Sequence, residues 1–335
     1  MNRKNSFSSL KKKKILTFII RWSLSLGILL IIIYRINWET ISENFYYANK
    51  YYLILAIFAL IFEMFLKSYK WYLLLEIIKI KISFLKVLEA YYISNFLGFF
   101  MPSSLGIDVL RTYCISKYAE DTYGSFFSVF IDRAFGIISL SMVMIYGLFS
   151  SSASFIENRM QLIFVGLLMF FLFSMLIIYF DAVLKMINSL LKRWKNNKFT
   201  KLSSMLDISI DYMKSIKRDR KRLLWFFIIT VFFQINRIVI AYLVALSLNI
   251  HIMFGYWVVI VMVVIILSML PFSVAGLGVR EGAYVFLLGK LGVPMSKAFL
   301  LSIVMFFLGI FVTLPGMFIY LRRGISPQKL KGSHY

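Results

Sequence analysis

"LPFSVAGLGVREG", residues 270–282, stands where an apolar run of about twenty residues would reach the far side of a bilayer. It contains a proline, three glycines and the adjacent Arg280–Glu281 pair. Proline and glycine end helices, and charges at membrane depth are costly without a partner or a wet cavity. The stretch therefore reads as a helix that stops inside the membrane and restarts.

A second stretch far upstream has the same form. "MPSSLGIDVLR", from Met101 to Arg111, also follows an apolar segment, and in both stretches an arginine comes nine positions after the proline. The approaches match loosely, "KIKISFLKVL" against "SLNIHIMFGY". The pair suggests an internal repeat, with residues 51–150 and 223–320 each forming a span, a hairpin and a span.

The rest of the chain fits that frame. Of 335 residues, 61% are hydrophobic and 16% charged, and mean hydropathy is +0.81. Soluble domains are about half apolar, so an all-α polytopic membrane protein is expected, one transmembrane domain over 1–335. A barrel is excluded because the runs do not alternate. Full spans are expected at 15–36, 51–73, 123–150, 159–180, 223–248 and 296–320, with shorter apolar segments at 84–101 and 254–270. The opening "MNRKNSFSSLKKKK" and the run behind it resemble a signal sequence, but the run is long and reads as an uncleaved first span.

The net charge of +23 reflects where the cations lie and not a nucleic-acid partner. Arg3, Lys4 and Lys11 to Lys14 precede the first span, twelve Lys/Arg lie between Lys185 and Arg222, and Arg322, Arg323, Lys329 and Lys331 close the chain. Residues 36–49 and 248–256 carry none. The positive-inside rule puts both termini and the basic amphipathic segment 183–222 on the cytoplasmic side of the inner membrane. Trp38 and Trp257 then fall near the outer interface, and Trp71 and Trp225 near the inner one. With these sides fixed, 84–101 and 254–270 must each enter and leave by one face, from opposite sides. Two re-entrant hairpins in an inverted repeat, beside about six full spans, are the expected architecture.

Transporters of this plan bind substrate between the repeats near the midplane, where interrupted helices meet. Ser103 and Ser104 are possible N-caps after Pro102. Gly106, Gly276 and Gly278 allow close approach to the backbone. Restarted helices offer N–H donors to an anion, and Arg111 and Arg280 add guanidinium forks. Asp108 lies three residues before Arg111, so a local salt bridge competes with a binding role. Glu281 is expected to act separately from Arg280, since neighbours on a helix point differently. Asp132 and Arg133 lie in the inner third of a span, where either could snorkel. Arg237 is deep in 223–248 and requires a counter-charge; Asp132, Asp108 or Glu281 is expected to face it. Glu63 is expected to pair with Lys67, four residues on, and ranks lowest.

Enzymatic signatures are missing. Cys114 is the only cysteine and the two histidines are His251 and His334, so no metal or cofactor is expected. The sequence contains no phosphate-cradling G-x-x-x-x-G-K-[ST] and no Ser/His/Asp set. Transport would be downhill or ion-coupled, with Asp108, Asp132 and Glu281 as candidate proton carriers.

The segments "PSSLGIDVLR", "SVFIDRAFGIISL" and "LPFSVAGLGVREGAYVFLLGKLGV" resemble the lysylphosphatidylglycerol synthase transmembrane region, also called the flippase-like domain family. The resemblance runs from about Lys67 to Arg322. It implies movement of lipids or lipid-linked precursors, often beside a glycosyltransferase. It carries over to Pro102, Gly106, Asp108, Arg111, Asp132, Arg133, Pro271, Gly276, Gly278, Arg280, Glu281 and Gly282. Two positions depart from the family pattern: Ile107 stands where a second glycine is usual, and Phe306 where an arginine often appears. The large aminoacyltransferase domain of bifunctional members has no counterpart, so an enzyme is not expected. The function expected is translocation of an anionic phospholipid or polyprenyl-phosphate-linked substrate. A membrane-embedded transferase on a lipid phosphate and an accessory subunit of a glycosyltransferase or envelope-assembly complex are the alternatives.

Overall fold

Ten α-helices and no strand make up the described part of the chain, which in this computed structural model comprises residues 38–99, 101, 105–149, 197–269 and 276–323, with positions 27, 34 and 166 standing alone. In chain order they are α1 Trp38–Tyr46, α2 Lys50–Ile77, α3 Phe84–Gly98, α4 Leu105–Ala119, α5 Thr122–Phe149, α6 Asn197–Arg218, α7 Arg220–Ser247, α8 Phe254–Met269, α9 Val279–Gly289 and α10 Met295–Arg323. The expected spans at 15–36 and 159–180 lie outside the described residues, as do 183–196 of the basic segment.

Among the described residues, four helices are long and apolar enough to cross a membrane: α2, α5, α7 and α10. They correspond to the spans read at 51–73, 123–150, 223–248 and 296–320. At 1.5 Å per residue, α3 and α8 reach only about 22 and 24 Å, short of a hydrocarbon core of about 30 Å.

The helices α2 to α5 and α7 to α10 form two runs of the same order, long, short, short, long. The likeness extends to single residues. Both α2 and α7 end in a left-handed turn on a non-glycine residue, Lys79 at φ 64° and Asn249 at φ 54°. In each, an isoleucine N–H reaches back five residues, Ile80 to the Leu75 carbonyl and Ile250 to the Ala245 carbonyl, both at 2.9 Å. This is the closing bond of a Schellman cap. Residues 63–80 and 233–250 alternate between buried and accessible in step at every position but one, 69 against 239.

The two helices that share this pattern pack on each other most extensively of all pairs, and they run antiparallel. The Asn49 N–H at the start of α2 donates to the Ser247 carbonyl at the end of α7, at 2.8 Å. Further along, the Asn236 side-chain amide donates to the Ala59 carbonyl at 3.1 Å. Just beyond that bond Phe62 meets Phe232 edge to face, with centroids 6.3 Å apart. These phenylalanines occupy matched positions of the two runs, so like meets like at the crossing.

The outer contacts come in matching pairs: α10 packs on α3 as α8 packs on α5, and α4 on α5 as α9 on α10. A glycine permits the close approach of α5 to α8 and of α10 to α3. A Cβ on Gly147 would lie 2.8 Å from Val258 Cγ1, and one on Gly316 would run into the Tyr92 carbonyl. Small residues at such points carry helix association in lipid, where no hydrophobic drive exists between helices.

Two cores result, one at each end of the α2–α7 pair. Trp257, Val259 and Leu301 centre one; Trp71, Leu74 and Ile115 centre the other. Both tryptophans are fully buried. Trp71 and Trp257, expected near the interfaces, are thus packed against protein, and the Trp71 indole N–H donates to Ser128 Oγ at 3.0 Å. Trp225 is exposed, as an interfacial ring would be.

Helix α6 is amphipathic. Ile210, Met213 and Ile216 are buried against α5 and α7, while Asp211 and Lys214 face outward. The Tyr212 hydroxyl donates to Asp121 Oδ2 at 2.6 Å, and the other oxygen of Asp121 accepts the Gly124 N–H that opens α5. Burial, and then this bond, push the Tyr212 phenol above its ordinary range.

Candidate functional site

The sequence-predicted residues separate into two groups. The first is a buried chain of alternating charge. Asp132 on α5 holds Lys70 of α2 at 2.6 Å with one oxygen and Arg111 of α4 at 2.8 Å with the other. Arg111 also reaches Asp108 at 3.0 Å, and Asp108 pairs in turn with Arg133. The Arg111 guanidinium donates to the Tyr91 hydroxyl and lies 5.0 Å from the Trp71 ring centroid. Arg111, Lys70 and Asp132 are 4–5% exposed, so Asp132 does not snorkel. In a low-dielectric interior such charges persist only when each is paired and hydrogen-bonded. The arrangement ties α2, α3, α4 and α5 together, and the Asp108–Arg111 bridge expected from the spacing is part of it.

The second group surrounds the start of α9. Gly276 and Gly278 both sit at φ 80°, a conformation that side chains with Cβ avoid. The Gly278 N–H donates to Glu281 Oε2 at 2.6 Å. The other oxygen of Glu281 accepts from Arg280 Nε at 3.1 Å and from Ser302 Oγ at 3.2 Å. Arg280 and Glu281 were expected to act apart. They are partners, because the backbone turn at Gly278 brings the carboxylate, wholly buried, back over the helix start. A helix N-terminus expected to present free donors to a ligand thus has one of them filled by its own chain.

Between the two groups lies a cavity of about 390 Å³. Its polar lining is Glu63 and Lys67 of α2, Asn95 of α3, Arg237 of α7, Ser268 of α8, Arg280 and Tyr284 of α9 and Thr313 of α10. Apolar side chains form the rest, among them Met64, Val261, Ile265, Met305 and Phe306. Lys67 and Arg237 stand at matched positions on the crossing helices and share one ring, at 5.7 and 5.5 Å from the Phe233 centroid. Arg280 stacks 5.1 Å from the centroid of Phe306.

Arg237 has no hydrogen bond or ion pair to any described residue, and its guanidinium faces the cavity. The counter-charge expected from Asp132, Asp108 or Glu281 does not come from them. Each is already engaged, Asp132 by Lys70 and Arg111, Asp108 by Arg111 and Arg133, and Glu281 by Arg280. The carboxylate whose field reaches Arg237 is Glu63. Glu63 also bridges Lys67 at 2.6 Å, as its spacing predicted.

Of the sequence-predicted residues, Arg237 and Arg280 line the cavity; Glu281 backs Arg280; Gly276 and Gly278 shape the turn; Asp108, Arg111, Asp132 and Arg133 form the ion chain. Gly106 lies where α4 begins, with Met101 packed over it. Ser103 and Ser104, like Pro102 and Pro271, lie outside the described residues. Sequence reasoning missed Lys67, Asn95, Tyr284 and Thr313 as lining and undervalued Glu63. The available signal was that Lys67 and Arg237 lie 170 residues apart, the same offset as the Lys79 and Asn249 turns. Ile107 lines the cavity and covers Gly98, and Phe306 supports Arg280, so both departures from the family pattern border this space. Among the described residues no group of His, Cys, Asp and Glu could hold a metal ion.

No curated protein and no solved structure matches the chain. A family model, described as "Lysylphosphatidylglycerol synthase TM region", matches residues 18–316. The cationic cavity and the ion-paired arginines thus stand within the matched region, and the chain belongs to the lysylphosphatidylglycerol synthase transmembrane-region family.

Proposed function

We propose that the protein moves an anionic lipid, a phospholipid or a polyprenyl-phosphate-linked precursor, across the cytoplasmic membrane. One observation carries this reading: three cations, Lys67, Arg237 and Arg280, line an otherwise largely apolar cavity, and Arg237 has no hydrogen bond or ion pair to any described residue. A half-buried guanidinium with no ion pair is costly, and an anionic headgroup arriving between the three would pair with it directly. Guanidinium forks suit phosphate oxygens. The surrounding methionine, valine and phenylalanine side chains suit the first carbons of an acyl or prenyl chain. A cavity of this volume lies in the range that holds small ligands.

The proposal includes an inverted repeat, with α2–α5 and α7–α10 related by a two-fold axis near Phe62 and Phe232. Antiparallel packing of matched helices supports it, as do the paired outer contacts. In this arrangement α3–α4 and α8–α9 are the re-entrant hairpins, and 15–36 and 159–180 complete six spans with both termini cytoplasmic. Rocking of one repeat against the other would expose the cavity to each leaflet in turn. The chain itself is proposed to carry out no covalent chemistry.

The test is reconstitution into liposomes with a fluorescent phosphatidylglycerol or polyprenyl phosphate, followed by quenching from outside. Wild-type protein should equilibrate the lipid, and Arg237→Gln and Arg280→Gln should slow it at least tenfold, on the order of one lost charge-assisted contact. Wild-type protein that moves neither lipid would sink the transport reading and favour an accessory role.

A further inference from the structure

The cavity has three cations but, among its described lining residues, a single carboxylate, Glu63. Arg280 has its own counter-ion in Glu281, set back from the lining. Lys67 pairs with Glu63, and Arg237 lines the same cavity as that carboxylate. The carboxylate lies 2.6 Å from the Lys67 ammonium on its own helix and acts on Arg237 across the helix crossing. Only 8% of Glu63 is exposed. It shares the cavity wall with Lys67 from α2, Arg237 from α7, Arg280 and Tyr284 from α9, and the uncharged Asn95 of α3 and Thr313 of α10.

Building on the headgroup reading of the cavity, we infer that Glu63 is an internal counter-anion, which holds Lys67 and offsets the charge of Arg237 while the cavity is empty and competes with the substrate phosphate for both. A phosphate placed between Lys67 and Arg237 comes to lie beside a carboxylate in a poorly solvated space, where like charges repel strongly. Binding therefore requires Glu63 to release Lys67 and turn aside. When the lipid leaves, Glu63 closes on Lys67 again, so the exit of the anion is assisted. Glu63 weakens the hold on the substrate and thereby allows it to be released at the second leaflet. A transporter needs such balance, because a site that binds its cargo too tightly does not turn over.

The experiment measures binding and transport with full-length protein. Binding of short-chain phosphatidylglycerol and of a short-chain polyprenyl phosphate is titrated in detergent, and initial transport rates are taken in liposomes against lipid fraction. Glu63→Gln is expected to tighten binding about three- to tenfold. Its apparent KM and its kcat should fall together, because release slows as affinity rises. Glu63→Asp, which keeps the charge but withdraws it by one methylene, should lie between the two; it also serves if Glu63→Gln does not fold, with thermal unfolding as the check. A folded Glu63→Gln protein that binds either lipid equally or more weakly overturns the counter-anion role while leaving the headgroup site standing. Wild-type protein that binds neither lipid overturns the headgroup reading, and the role of Glu63 with it.

Discussion

Asp132 keeps Lys70 and Arg111 from facing each other without an anion between them. Replacing it by asparagine leaves two buried cations short of charge, and breaking such a pair costs about 3–5 kcal/mol. Asp132→Asn should therefore unfold at a clearly lower temperature in detergent than wild type. Arg237→Gln should behave oppositely: it has no described hydrogen bond or ion pair to lose, so stability should stay within about 0.5 kcal/mol while transport drops. Thermal unfolding of the two variants side by side distinguishes the ion chain from the cavity. Both arginines are visible in the sequence as charges at membrane depth. Their difference is not visible, because it depends on which carboxylates the other helices bring near. Glu63 and Lys67 read as an ordinary i, i+4 pair along the sequence, and only packing against α7 turns that pair toward Arg237.

At the scale of helices, the proline and glycine interruptions mark where α3 and α8 stop, and the charge pattern marks the basic α6. The glycines on α5 and α10 carry no such label. Gly136 has open space where a Cβ would go, whereas Gly316 meets the backbone of α3. Gly136→Ala should be neutral or stabilising by up to about 1 kcal/mol, from helix propensity alone. Gly316→Ala should destabilise by about 1–3 kcal/mol, because the helices must part. Opposite shifts in unfolding temperature would check the α3–α10 contact. Equal shifts would mean that α10 does not approach α3 as closely as the backbone indicates.

The whole molecule is organised around the antiparallel crossing of α2 and α7. Cysteines placed at Phe62 and Phe232, with the buried Cys114 changed to serine, should be joined by a short bismaleimide, and a proteolytic cut between the repeats should then no longer separate the fragments on a denaturing gel. If the halves are inverted in the membrane, the matched turns at Lys79 and Asn249 lie on opposite sides. An impermeant maleimide should label Asn249→Cys in intact cells, and Lys79→Cys only after the membrane is opened. Labelling of both from one side would remove the inverted arrangement and alternating access with it.

The sequence by itself determined the membrane-helical class, four long helices among the described residues, the ends of α3 and α8 ahead of the two prolines, and the basic amphipathic α6. Each follows from local hydropathy, backbone chemistry or charge, which depend on neighbours along the chain. The tertiary structure decided which arginines are ion-paired and which face a cavity, that Glu281 folds back onto Arg280, and that Glu63 and Arg237 line one space. Most of those outcomes depend on distances between residues far apart in the chain, 62 positions for Lys70 and Asp132 and 170 for Lys67 and Arg237, where Coulomb forces and packing act through space and local pattern has no reach.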